Sequence, residues 1–128
     1  MSTSGYTDKV MDHFISPRNV GSLRGSNGRG KYGDPGCGDS LEVHIKVVNN
    51  VIEDMKYFVF GCPASIATSS MTTVLAKGKT LEEALKITDE DVIEALGGLP
   101  EAKKHCSNLG VTALRNAIDD YYKNNSSK

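Results

Sequence analysis

Apolar residues at Tyr6, Val10 and Phe14 recur every fourth position, which predicts a short helix over 6–14 with one buried face. Pro17, Asn19 and Gly21 end it. The period changes at Leu41. Val43, Ile45 and Val47 alternate with Glu42, His44 and Lys46, the signature of a half-buried strand with one wet face. Asn49-Asn50 suits a two-residue hairpin turn, because asparagine tolerates positive φ. The β-branched and aromatic run from Val51 to Phe60 is then the antiparallel partner. Pro63 opens a helix that continues to about Lys77, and Gly78 stops it. Thr80-x-x-Glu83 is a capping box for a short helix, and Thr88-Asp89-Glu90-Asp91 opens another that Gly97-Gly98 closes. Pro100 marks the start of the last helix, whose buried face carries Leu109, Ala113, Leu114, Ala117, Ile118 and Tyr121. The polar tail 124–128 is expected to fray.

Seven glycines fall between Gly21 and Gly38. Such a stretch excludes a helix and would make a weak strand, so 21–40 reads as a functional loop. A third strand is placed near Val20–Leu23. Strands before helices give an α+β fold, with helices covering one face of the sheet.

The chain has 128 residues, which is one domain, 1–128, on size. Fifteen basic against sixteen acidic residues give a charge of −1, so charge-driven nucleic-acid binding is not expected. Trp is absent and aromatics are 6%, which argues against a base-stacking surface. The longest apolar stretch, near 57–64, is far short of a membrane span. The first residues lack the pattern of an export signal, so a cytoplasmic protein is expected and three cysteines do not suggest a disulfide framework.

Those cysteines lie at element boundaries. Cys37 is in Gly33-Asp-Pro-Gly-Cys-Gly-Asp39, Cys62 is in Phe60-Gly-Cys-Pro-Ala64, and Cys106 is in Lys103-Lys-His-Cys-Ser107, about two turns into the last helix. Flanking Gly and Pro favour approach by a metal over packing. Asp39 and His105 add a carboxylate and an imidazole beside them. His13 and His44 have no such neighbours and read as solvated surface residues. No paired Cys-x-x-Cys knuckle exists, so the donors must converge from separate elements. Three thiols with one oxygen or nitrogen donor suit tetrahedral zinc or an iron–sulfur cluster and are too soft for magnesium or calcium. Two local fields are expected to favour thiolate: the helix N-terminus at Cys62, and Lys103, Lys104 and His105 around Cys106. A cysteine-nucleophile enzyme is disfavoured, because no oxyanion-hole motif accompanies the thiols.

Tyr6-Thr-Asp-Lys-Val-Met-Asp-His-Phe14, Pro17-Arg-Asn-Val-Gly21, Gly33 to Asp39, Gly61-Cys-Pro-Ala-Ser-Ile-Ala-Thr-Ser-Ser70, and Leu99-Pro100 through Ser107 stand in this order. In these segments the chain resembles the iron–sulfur cluster scaffold proteins of the IscU type, also found as the N-terminal domain of NifU. The resemblance implies a three-stranded antiparallel sheet with helices packed on it. It implies a non-enzymatic scaffold that assembles a labile [2Fe–2S] cluster and transfers it to acceptor apoproteins. Sulfur would arrive as persulfide from a cysteine desulfurase of the IscS or NifS type, with iron and electrons from other donors.

The ligands implied are Cys37, Cys62 and Cys106, with Asp39 or His105 as the fourth. Cys106 is the implied persulfide acceptor, with Cys37 as a second candidate and Lys103 beside the same site. A homodimer sharing a cluster is left open, with Tyr6 in the segment that would mediate it. The alternative of another class is a zinc-bound sulfur-transfer protein of the SufU kind, with Zn2+ in place of the cluster. Those relatives carry an insertion between the second and third cysteines, for which the 44-residue separation here leaves no room. Leu99-Pro-Glu-Ala-Lys103 replaces the family's Leu-Pro-Pro-Val-Lys, which speaks against docking of an Hsp70-type chaperone. Pro63 stands where the family commonly has glycine. A carboxylate in place of a fourth thiolate weakens one iron's attachment, so Asp39→Ala is expected to make the cluster more persistent.

Overall fold

The computed structural model describes residues 6–34 and 39–126. Helix α1 (Asp8–Ile15) precedes three strands, β1 (Gly28–Asp34), β2 (Asp39–Val48) and β3 (Val51–Phe60). Helices α2 (Pro63–Ala76), α3 (Leu81–Leu85) and α4 (Asp89–Ala95) follow, then a 3₁₀ turn (Glu101–Cys106) and α5 (Ser107–Ser126). The sheet is antiparallel in the order β1-β2-β3.

The β2–β3 hairpin turns at Asn49 and Asn50, with φ of 53° and 66°. Left-handed backbone at both central residues matches the twist of the paired strands. Leu41, Val43, Ile45 and Val47 of β2 point into the core, as their alternation predicts. Helices α2 and α5 cover that face. The predicted capping box forms at Thr80/Glu83, and the helix start expected at Thr88 carries a second one, Thr88/Asp91.

The third strand is not at Val20–Leu23. It lies inside the glycine-rich stretch, as β1, while Val20 makes only a single parallel bridge to Tyr57. The glycines serve a close approach. A Cβ on Gly30 would meet the Ala113 carbonyl oxygen at 2.2 Å, and one on Gly28 would meet the Ala117 oxygen at 2.6 Å. Helix α5 therefore lies backbone against backbone on β1, and a side chain at either position would lift it off. Strand weakness, read from composition, is outweighed by this packing.

Three further expectations are corrected. His13 and His44 are buried, at 7% and 5% exposure, because each has hydrogen-bond partners: Ser70 Oγ 2.7 Å from His13 Nδ1, and Glu42 Oε2 2.8 Å from His44 Nε2. Cys106 ends a 3₁₀ turn instead of lying two turns into a helix; Pro100 starts the tighter turn, and α5 begins at Ser107. Part of the tail is helical, since α5 continues to Ser126.

Candidate metal centre

Helix α2 begins at the edge of the sheet, and its N-cap is Cys62. Pro63 at the first helical position fixes the backbone there without removing a needed donor. The sheet register sets Asp39 and Ser40 at the start of β2, with Ser40 opposite Phe60 on β3, so Asp39 and the Gly61-Cys62 corner share one end of the sheet. Cys106 reaches the same end through the junction of the 3₁₀ turn with α5. Thr68 of α2 anchors that junction, donating its hydroxyl to the Cys106 carbonyl at 3.2 Å.

Three elements thus bring three donors together. The ligand atoms of Asp39, Cys62 and Cys106 all lie within 4.8 Å of one another. The two sulfurs are 3.7 Å apart, and Cys62 Sγ is 3.8 Å from Asp39 Oδ2. Metal–sulfur bonds of about 2.3 Å at tetrahedral angles put two thiolates about 3.8 Å apart. The sulfur pair therefore already has the spacing of one edge of such a site. Two soft donors and one hard one match zinc or iron.

His105 lies at the exposed rim, with Nε2 3.7 Å from Cys106 Sγ. It can supply a fourth donor from outside. Lys103 is half-buried on the same 3₁₀ turn, and its charge is felt by the phenol of Tyr6, as are Cys62 and Cys106. Tyr6 is itself buried beside this site. Cys37 lies outside the described residues.

The two thiols differ. Burial pushes Cys62 up, and the Asp39 charge adds to that. The Ser65 hydroxyl, the Ser65 backbone N–H and the Cys106 thiol outweigh both and hold Cys62 below the usual thiol value. Its thiolate is favoured, as the helix N-terminus suggested. Cys106 reverses the expectation drawn from its basic neighbours. Only 1% exposed, it is pushed up to about 11 by burial, with Cys62 and Asp39 adding to the rise and the Ser65 hydroxyl opposing it. Desolvation outweighs the basic residues near it in sequence.

Ser65 and Gly61 were missed in the sequence. Ser65, three residues into α2 from its cap, donates its hydroxyl to Asp39 Oδ2 and lies 3.4 Å from Cys62 Sγ. A Cβ on Gly61 would come within 2.7 Å of Asp39 Cγ and Oδ1. The N-cap-to-N3 spacing of Cys62 and Ser65 was the available signal for the first. For the second there was only a glycine beside a cysteine.

Residues 5–128 match the family described as the NifU-like N terminal domain. The chain belongs to that family. It is 60% identical over 120 residues to the iron-sulfur cluster assembly scaffold protein IscU 1 of Archaeoglobus fulgidus, covering 94% of this chain and 78% of that one. It is 52% identical over 118 residues to the IscU scaffold protein of Aquifex aeolicus, covering 91% and 75%. The solved structure of an N-terminal NifU-like protein from Brucella abortus superposes with a TM-score of 0.74 at 17% identity, over 91% of this chain and 94% of that one. This last likeness concerns the fold, and it agrees with the three-stranded antiparallel sheet and its covering helices.

Proposed function

We propose that this chain is a scaffold on which an iron–sulfur cluster is assembled and from which it is released to acceptor proteins. The observation that carries this is the thiol pair, 3.7 Å apart, with one carboxylate beside it at the edge of the fold. The cluster is cargo, of the [2Fe–2S] type. Cys62 and Cys106 hold it together with Cys37, and Asp39 or His105 closes the set. Sulfur reaches the site as persulfide from a cysteine desulfurase, and iron and electrons come from separate donors. Cys62 is the more accessible thiol in this conformation and the one more readily ionised, which makes it the better first nucleophile. Cys106, the acceptor implied by the resemblance, must first be uncovered. Among the described residues no helix is long and apolar enough to cross a membrane.

Anaerobic reconstitution with ferrous iron and sulfide tests the reading. The expected product is coloured, with the visible charge-transfer absorption of a [2Fe–2S] cluster, and Cys62→Ala abolishes it. A colourless product that retains zinc would favour the sulfur-transfer reading, because the same sulfur spacing fits Zn2+. In Asp39→Ala, His105 takes the vacated position and the cluster outlasts that of the unaltered chain under a chelator. Faster loss would refute this account of lability.

A further inference from the structure

Ser65 is fully buried, yet its hydroxyl faces the metal centre instead of its own helix. A serine hydroxyl has one hydrogen to give. With the thiols protonated or on a metal it goes to Asp39 Oδ2, the carboxylate oxygen that also faces Cys62 Sγ; only a free thiolate competes for it. The other oxygen, Oδ1, and the carboxyl carbon are backed by Gly61, where even a Cβ would fall at 2.7 Å. The carboxylate is therefore held on one side and given room on the other. Ser65 fixes the oxygen turned toward the sulfurs, and the missing side chain at Gly61 leaves room for the carboxyl group to lie there. A carboxylate oxygen has two lone-pair sites, so Oδ2 keeps one for a metal while Ser65 occupies the other.

From this geometry we infer that Ser65 is a positioning residue that sets Asp39 as the oxygen donor of the centre. The inference rests on the scaffold reading above and deepens it. Ser65 does not bind metal; it acts through Asp39. Partners of this kind, hydrogen-bonded to a ligand, typically account for about 10–100-fold in metal affinity.

The test uses the full chain under anaerobic conditions with cobalt(II) alone as the probe, followed by absorption. Ser65→Ala is expected to weaken cobalt binding about tenfold. The sulfur-to-cobalt charge-transfer intensity per bound ion stays unchanged, because both thiolates still bind. The ligand-field bands shift because the carboxylate is no longer aimed at the metal but still fills the position that His105 takes in Asp39→Ala. In an Asp39→Ala background the same serine substitution changes affinity less than about twofold, since a residue acting through Asp39 has nothing left to act on. Equal losses in both backgrounds, or no loss in either, would overturn the role of Ser65 while leaving the scaffold reading intact. An unaltered chain that binds cobalt without thiolate charge transfer would instead strike the scaffold reading, and this inference with it.

Discussion

Helix α2 carries two buried polar clusters, one at its first turn and one at its middle, and they are built on opposite lines. At the middle, Ser70 accepts the Arg18 backbone N–H at 2.9 Å and lies 2.7 Å from His13 Nδ1, while Asn19 donates to Thr73 Oγ1 at 2.9 Å. These groups are neutral or offset, and the network fastens α1 and the 18–20 segment to α2. At the first turn, two thiols and a carboxylate crowd around one hydroxyl. All three of those groups lose a proton to become anions, and the Asp39 charge raises both thiols. A satisfied network holds a fold together. A crowded one of like charges is stable only with its protons kept or with a cation among them, which is what a metal centre needs.

The contrast within the first cluster gives the largest expected effect. At pH 7.5 in the metal-free chain, iodoacetamide should modify Cys62 roughly 100-fold faster than Cys106, because Cys106 is buried and holds its proton up to about 11. Mass spectrometry of the two peptides over time reads the ratio, and comparable rates would erase the distinction between the sulfurs.

The second cluster is sharpened by Ser70→Ala. It strips a partner from His13 and from the Arg18 N–H, and should cost about 2 kcal/mol by denaturant unfolding. Cobalt affinity should not change, since the side-chain hydrogen bonds of Asp39 and Cys62 run to Ser65, Cys106 and each other, on a different turn of α2. A matching loss of affinity would mean that the two clusters act as one.

Gly61→Ala is expected to cost about 1–2 kcal/mol, because the added methyl must displace Asp39 or shift the first turn of α2. Unlike Ser70→Ala it should also alter the cobalt ligand-field bands.

The smallest effect concerns pH. Burial holds His13 below the usual imidazole range, with the Arg18 charge adding to this and Asp12 opposing it. The folded state therefore disfavours the protonated ring. The stability that His13 contributes is fully present above the unfolded value of about 6.5 and is lost as pH falls through the lower folded value. Melting temperature followed downward from pH 7 should drop less steeply in His13→Gln than in the unaltered chain.

Much of this was legible along the chain because it depends on neighbours. The alternation of 41–47, the Asn49-Asn50 turn, the Thr80/Glu83 capping box and the helix start at Thr88 are short-range patterns, and each appears where it was expected. The strand at Gly28–Asp34 was not legible. Glycine reads as a breaker until the helix lying on it, some 85 residues later, is known. The histidines misled for the same reason, since Ser70 stands 57 residues from His13. Basic neighbours in sequence suggested an easily ionised Cys106, but burial governs it.

By itself, then, the sequence determined which residue types could bind a soft metal, where the β2–β3 hairpin and the starts of α2, α3 and α4 lie, and the family to which the chain belongs. Only the tertiary structure decided that Cys62 and Cys106 stand at metal-edge spacing, that one ionises readily while the other resists, and that Ser65 holds Asp39 where Gly61 leaves room for it. Donor chemistry is a property of a side chain and travels with it. Spacing, desolvation and orientation belong to the fold, which brings together residues that the chain keeps far apart.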